Sequence, residues 1–156
     1  MSRYEEALAK LGLTIPEPVA PVANFVPYVV TGNLVYVSGQ IPMRDGQLGF
    51  VGKLGREFDA AQGREAAGAC ALNVLSVLRL ACGGDLDRVT RCVRLGGFIN
   101  STDDFTSQPE VMNGASDLLV AVFGERGRHA RTAVSVNSLP RGVAVEVDAV
   151  FEIASD

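Results

Sequence analysis

The sequence predicts an α+β fold in which a mixed β-sheet carries two helices packed on one face. Three observations predict this class: two pairs of valine-rich runs that alternate with a period of two, two long helical patterns, and the chain order strand pair, helix, strand, helix, strand pair. A chain of 156 residues with 47% hydrophobic and 21% charged residues is long enough to bury about two thirds of its unfolded surface. We therefore treat residues 1–156 as one domain.

Residues 1–20 predict a short helix followed by a proline-rich connector. Tyr4, Leu8 and Leu11 recur at helical spacing, and Gly12 follows as a terminator. The prolines that follow restrict their own backbone and disfavour helix in the residues before them. We expect a short amphipathic helix followed by an extended connector.

The next segment predicts a β-hairpin. The apolar runs 25–31 and 34–38 are separated by a Gly-Asn pair, which is a typical hairpin turn. The glycine-dense stretch 41–54 predicts a loop with a weak strand. Its glycines do not form a nucleotide P-loop, because the spacing is one residue too long and Lys53 is not followed by Ser or Thr.

Two helices are predicted from apolar residues at helical spacing. The longer one has Asp59 as its N-cap and ends before Gly83, with Ser76 on its solvent side. The second lies within 103–123 and starts near Pro109. The buried stripe of the longer helix is predicted to consist of Ala67, Ala71, Val74, Leu78 and Ala81.

Between these helices, the segment 86–100 predicts a strand, because its apolar residues fall at even spacing. Arg88, Arg91 and Arg94 form the only basic cluster that could attract RNA. The net charge of −4 and the pI of about 5.0 argue against a general nucleic-acid binder. We expect these arginines to be solvated or paired with acids.

The runs 130–136 and 143–150 predict a second hairpin, because both alternate with a period of two around a Pro- and Gly-containing turn. If the valines of both runs share the buried face, Arg131 lies on the opposite face beside Glu146 and Asp148. The hairpin alone leaves two interpretations open. In the first, the exposed strand charges form an ion pair that contributes at most about 1 kcal/mol. In the second, Arg131 binds a small carboxylate while an acid handles protons or water.

Other chemistries have little support in the sequence. Three cysteines, an odd number among apolar neighbours, predict buried thiols in a reducing compartment. His129 is the single histidine and is expected in a loop, which argues against a zinc site or a Ser-His-Asp triad. No signal-peptide pattern or long apolar run is present, so we expect a cytoplasmic protein without a membrane span.

Several stretches, taken together and in order, resemble the RidA/YjgF family. The Val-Ser-Gly-Gln-Ile-Pro and Ala-Arg-Thr segments are the most specific of them. The resemblance covers roughly residues 20 to 152. The matching stretches are 27–28, 34–42, 73–75, 84–89, 104–105, 130–134, 139–140 and 145–147.

The resemblance implies a chorismate-mutase-like fold that assembles as a homotrimer with clefts between neighbouring subunits. Active members hydrolyse reactive 2-imino acids, such as 2-iminobutanoate and 2-iminopropanoate, to 2-oxo acids and ammonia without a cofactor or metal. Two alternatives are a trimer that binds small carboxylates without turnover and, less favoured, the endoribonuclease named for a longer bacterial branch. Imine hydrolysis needs the acid beside the arginine, whereas binding without turnover does not.

Carried over by position, the resemblance makes Arg131 the clamp for the substrate carboxylate and Glu146 the acid that positions water. Tyr28 becomes a cleft residue, while Gly39 and Ala133 add backbone contacts. Tyr28 could instead be an ordinary strand aromatic, and Gly39 a strand-end glycine.

Two positions depart from the family pattern. Ala133 replaces a frequent cysteine, and the usual cleft asparagine falls near Gln108 and Pro109. The resemblance therefore leaves the substrate range open.

Overall fold

The computed structural model, which describes residues 1–156, contains three α-helices and seven strands. The helices are α1 (Arg3–Lys10), α2 (Ala60–Ala81) and α3 (Gln108–Phe123). The strands are β1 (Tyr28–Thr31), β2 (Leu34–Gln40), β3 (Met43–Arg44), β4 (Gln47–Leu48), β5 (Val89–Asn100), β6 (Ala130–Val136) and β7 (Val145–Ile153).

Five strands form one mixed sheet in the order β1-β2-β7-β5-β6. β5 and β6 are parallel, and the other neighbouring pairs are antiparallel. The remaining strands, β3 and β4, form a separate small hairpin. The α+β class and the mixed sheet predicted from the sequence are confirmed.

The predicted hairpin of β6 with β7 is wrong, because β5 lies between these two strands. The segment 137–144 has to cross the end of β5, a distance of two strand spacings or about 10 Å. Period-two alternation identifies the residues that share a face of one strand, but it does not identify the neighbouring strand. The prediction therefore pairs two consecutive runs that the sheet separates by one strand.

The first hairpin and both long helices are confirmed. Thr31 pairs with Leu34 across the predicted turn, although β1 begins at Tyr28 rather than at residue 25. Asp59 caps α2, since its carboxylate accepts the Gln62 N–H at 2.8 Å and the Gln62 side chain accepts the Asp59 N–H at 2.9 Å. These local signals were sufficient because each involves neighbours in sequence.

The sheet has one covered and one uncovered face. α2 and α3 pack together over the covered face, where residues such as Leu95, Val147 and Phe151 are fully buried. The third helix, α1, packs beside α3 through Tyr4 and Phe123, whose ring centroids lie 4.6 Å apart. The two helices predicted for the layer and the short helix predicted near the N-terminus are thus all present.

Two details of the N-terminal region differ from the prediction. Leu11 is 49% exposed instead of packed. Ser76 is buried rather than solvated, and its hydroxyl donates to the Pro16 carbonyl at 2.6 Å. This hydrogen bond ties the connector to α2. No helix of the chain is both long and apolar enough to span a bilayer.

Candidate functional site

Arg131 lies on the helix-covered side of β6. Its Cα is in register with that of Leu95, which is completely buried under the helices. From there its Nη1 donates to Asn113 Oδ1 at 2.9 Å and to Ser116 Oγ at 3.1 Å. Both partners belong to α3. The guanidinium is therefore held in a defined orientation by the fold.

The hydrogen bonds around Arg131 extend through Ser116 to His129. The imidazole Nδ1 lies 2.6 Å from the Gly127 carbonyl, and Nε2 lies 2.8 Å from Ser116 Oγ. Because a carbonyl oxygen can only accept, Nδ1 carries the proton and Nε2 accepts from the Ser116 hydroxyl. Burial lowers the pKa of His129, and the charge of Arg131 lowers it further, against the opposing effect of the bond to Gly127. The imidazole is neutral at pH 7.

Glu146 lies on the opposite, uncovered face of the sheet. Its Cα is in register with that of Phe98, which is in turn in register with Val134, a side chain that is 41% exposed. Partial burial raises the pKa of Glu146, and the charge of Asp148 raises it further. Partial burial also raises the pKa of Asp148, although Arg94, with a nitrogen 3.7 Å from its Oδ1, opposes this.

Arg131 and Glu146 therefore do not share a face, contrary to the prediction. The predicted face depended on the pairing of β6 directly with β7. With β5 inserted between them, the register places Arg131 beside Leu95 on the covered side and Glu146 beside Phe98 on the other. Within one chain, these two side chains cannot both reach one small molecule.

The other predicted site residues divide between the same two groups. Ala133 is in register with Gly97 and lies on the same side of β6 as Arg131. Gly39 lies against Glu146, since a Cβ at this glycine would be 3.0 Å from the carboxyl carbon. A larger residue at 39 would displace the Glu146 side chain, so glycine here has a packing reason beyond the end of a strand.

Tyr28 is remote from Arg131 within the chain. It is in register with Val37 and packs half-buried against the core on the covered side. It belongs to β1, whereas Arg131 belongs to β6 at the other edge of the sheet. Four strand spacings correspond to about 19 Å. The site roles of Arg131, Glu146, Tyr28, Gly39 and Ala133 remain predictions.

The sequence reasoning missed Asn113, Ser116 and His129 as a group. The helical pattern of α3 contained a signal, because Asn113 and Ser116 are three residues apart and share one helix face. The resemblance places the family's cleft asparagine near Gln108, whereas the asparagine that contacts Arg131 is Asn113. Gln108 itself donates to Ser135 Oγ at 2.9 Å, on the strand that carries Arg131.

The arginine cluster at the start of β5, formed by Arg88, Arg91 and Arg94, is not a free basic surface. Arg88 pairs with Asp156 at 2.7 Å, and Arg94 interacts with Asp148 and with Thr132 Oγ1 at 3.0 Å. Arg91 alone has no partner in the chain and is exposed. Two of the three positive charges are thus engaged within the chain, as expected for a salt-bridged strand.

The cysteines are buried and unpaired, as predicted. Burial raises the pKa of Cys82 to about 11 and that of Cys92 to about 12. Cys70 is completely buried, and its thiol lies 3.4 Å from the Val145 carbonyl oxygen. These thiols stay protonated at neutral pH, and a protonated thiol is a poor nucleophile.

Comparison with known proteins gives one consistent result. A family profile described as "YjgF/chorismate mutase-like, putative endoribonuclease" matches residues 5–151. Protein TCP17 of Trypanosoma cruzi is 50% identical over 152 residues, which are 97% of this chain and 94% of that protein.

Two solved structures show how closely the fold is shared. The structure of Atu1372, a protein of unknown function from Agrobacterium tumefaciens, is 44% identical, with a TM-score of 0.91 over 97% of this chain and 92% of the other. RidA from an Antarctic Psychrobacter is 28% identical, with a TM-score of 0.59 over 90% of this chain and 96% of the other. The fold is common to both, and the backbone follows Atu1372 more closely.

Proposed function

Because the chain belongs to the YjgF/chorismate mutase-like family, we propose that it hydrolyses reactive 2-imino acids to 2-oxo acids and ammonia. The observation that carries the proposal is the preorganised guanidinium of Arg131, which Asn113 and Ser116 hold in a fixed orientation. A planar, fixed guanidinium is well suited to bind a small carboxylate through two parallel hydrogen bonds.

The unused edge of Arg131 supports this role. Nη1 serves both Asn113 and Ser116. Nη2 has only a long contact of 3.5 Å to the Pro109 carbonyl, and Nε has no partner in the chain. The Nε and Nη2 edge is therefore available for a substrate carboxylate.

Glu146 is the proposed base. Its raised pKa makes the carboxylate a better proton acceptor than an ordinary exposed glutamate. A water oxygen forms a bond to the iminium carbon, the C=N π pair moves to nitrogen, and Glu146 takes the proton that the water loses. Glu146 then returns the proton to the amine, and an oxygen lone pair forms the C=O bond as the C–N bond breaks. The hydroxyl proton passes to Glu146 and from there to the released ammonia, so the products are a 2-oxo acid and ammonium.

This mechanism requires more than one chain, and we propose a homotrimer with clefts between subunits. Arg131 and Glu146 lie on opposite faces of one sheet, so Arg131 would act with the partner subunit's Glu146, Gly39 and Tyr28. The uncovered face supports this assembly, because the paired residues Val29 and Tyr36 expose 53% and 46% of their surface there, and Val134 exposes 41%. Apolar side chains grouped on a sheet face favour burial against another protein surface.

The test is hydrolysis of imino acids that an amino-acid oxidase generates in the assay, scored by competition with semicarbazide. Wild type should suppress semicarbazone formation. Arg131→Ala should lower kcat/KM about 10- to 100-fold, because it removes a charge-assisted contact of about 1.5–3 kcal/mol. Arg91→Ala is the matched control, since Arg91 is exposed and has no partner in the chain. Wild-type rates in Arg131→Ala would contradict the proposed site.

A second candidate function is binding of small carboxylates without turnover. It is favoured by one observation: the orientation of Arg131 is complete within one chain, whereas contact with Glu146 needs a second chain. Titration of 2-oxobutanoate into wild type and Glu146→Gln separates the two functions. Equal affinity in both proteins and no imine hydrolysis in either would support binding alone.

A further inference from the structure

A cavity of about 400 Å³ lies between the connector, the end of β2 and the β3–β4 hairpin. Its size is within the range of small-molecule binding sites. Its walls are mainly apolar, and the side chains that form them include Val19, Val22, Phe25, Ile41, Met43 and Leu48.

Arg141 is the only charged residue that lines this cavity. Most arginines of the chain pair with an acid or a hydrogen-bond acceptor, but Arg141 has no such partner. An arginine without a partner beside apolar walls is a suitable binding group for an organic anion.

The loop that carries Arg141 is held in a defined shape. Arg141 has a left-handed backbone with φ of 57°, which costs an ordinary residue about 1 kcal/mol or more. The Gly142 N–H donates to the Leu139 carbonyl at 3.0 Å, and the Gly52 N–H donates to the Gly142 carbonyl at 2.8 Å. These bonds fix the backbone from which the guanidinium extends.

The floor of the cavity is also fixed. The Asn73 amide is buried, and its nitrogen donates to the carbonyls of Ile41 and Met43 at 2.8 Å and 2.9 Å. Both amide hydrogens are therefore occupied, and Asn73 offers no donor to a ligand. Arg141 remains the one group in the lining that could neutralise an anion.

We propose that this cavity binds an organic monocarboxylate with an aliphatic or aromatic body. The body packs against the apolar walls, and the carboxylate pairs with Arg141. This site goes beyond the proposed reaction because it needs neither Arg131 nor Glu146. Within one chain, Arg131 is on β6, three strand positions from β2, whose end borders the cavity. In the proposed trimer a neighbour's Arg131 would approach Gly39, so the test includes an Arg131 variant. Gly39 is the one predicted site residue that also lines the cavity.

The test is calorimetric titration of 4-phenylbutyrate and, separately, of the uncharged 4-phenyl-1-butanol. Wild type should bind the acid more tightly than the alcohol. Arg141→Gln should weaken binding of the acid about 10-fold and leave the alcohol unchanged, because only the charge pair is lost. Glutamine, like arginine, has a Cβ, so the backbone conformation at 141 is equally strained in both proteins.

Two further variants locate the ligand. Phe25→Ala should weaken binding of the acid and of the alcohol alike. Because Phe25 is 54% exposed, the fold does not depend on its side chain. Arg131→Gln should leave both affinities unchanged. No binding of 4-phenylbutyrate to wild type, equal affinity in Arg141→Gln, or a loss in Arg131→Gln instead would overturn the proposal. Imine hydrolysis is measured independently, so either proposal can fail alone.

Discussion

The two faces of the sheet treat their charged residues differently. On the covered face, Arg131 has hydrogen-bond acceptors from α3, and Ser116 links it to a neutral His129. On the uncovered face, Glu146 has no hydrogen-bond partner for its side chain, and Asp148 has a long contact with Arg94 and a backbone hydrogen bond from Gly96. Both carboxylates have raised pKa values because they are partly buried without sufficient compensation.

The two faces therefore differ in whether the chain itself supplies hydrogen bonds to their charged groups. A charge whose hydrogen bonds are supplied within the chain adds to stability and keeps its position. A half-buried carboxylate without partners is destabilising on its own, and such groups concentrate where a substrate or another subunit completes the site. The covered face thus fixes the orientation of Arg131, whereas Glu146 on the uncovered face has no partner within the chain.

The largest effect should come from a charge on the uncovered face. If the wild type is a homotrimer, it should sediment at about three times the 16.5 kDa of one chain. Val134→Glu should shift it to monomer, because the charge would be buried without a partner in the assembly. Sedimentation equilibrium measures the masses.

The control for this experiment is Leu80→Glu. Leu80 is also exposed, at 50%, but it lies on α2, which packs on the covered side of the sheet. It should leave the mass unchanged. A monomeric wild type would remove the trimer and, with it, the proposed two-chain cleft.

The next effect should come from breaking the framework around Arg131. Asn113→Ala combined with Ser116→Ala should lower the free energy of unfolding by about 2 kcal/mol, since two hydrogen bonds to a guanidinium are lost. Urea denaturation measures the change. Asp117→Ala on the same helix affects only an exposed ion pair with Arg64 and should cost less than about 1 kcal/mol. Equal losses in the two proteins would show that Arg131 is not held by α3.

A smaller effect should appear on acidification. The unfolded chain protonates His129 below about pH 6.5, whereas the folded chain resists protonation because its pKa is lowered. The contribution of neutral His129 to the free energy of unfolding should therefore be fully present above pH 6.5. It should fall by about 1 kcal/mol as the pH drops toward the folded pKa, because protonated His129 can no longer accept from Ser116.

Melting temperatures at pH 7.5 and pH 5 measure this change. His129→Gln should show a weaker dependence on pH, because it cannot take up the proton. An identical pH dependence in His129→Gln and wild type would assign the loss to other groups.

The smallest effect should come from Glu146→Gln. The unfolded chain ionises this carboxyl above about pH 4.3, and the folded chain resists ionisation because its pKa is raised. Wild type therefore loses stability as the pH rises through this range, and the glutamine variant does not. Because water reaches the half-exposed side chain, the variant should be more stable at pH 7.5 by only a few tenths of a kcal/mol.

Denaturation at pH 7.5 and pH 4 tests the sign. The advantage of Glu146→Gln should shrink at pH 4, where the wild-type carboxyl is protonated in both states. Lower stability of the variant at pH 7.5 would mean that the carboxylate has a stabilising partner in the assembly.

The candidate site could be predicted only in part. Motif matching selected Arg131, Glu146 and Gly39, and the structure gives each a distinct environment. Motif matching could not show that Asn113 and Ser116 orient the arginine, because these contacts join residues 15 to 18 positions apart in sequence. The hairpin prediction placed Arg131 and Glu146 on one face, because it assumed that consecutive strands pair.

The sequence by itself determined the elements: the turn at Gly32, the N-cap at Asp59, the arginine-rich strand and the glycines that follow the helices. Those features depend on backbone preference and on neighbours within a few residues. The tertiary structure decided that β5 enters between β6 and β7, and hence which face each charge occupies. Side-chain periodicity is the same for any neighbouring strand, so only the packing of the whole sheet under its helices selects one order.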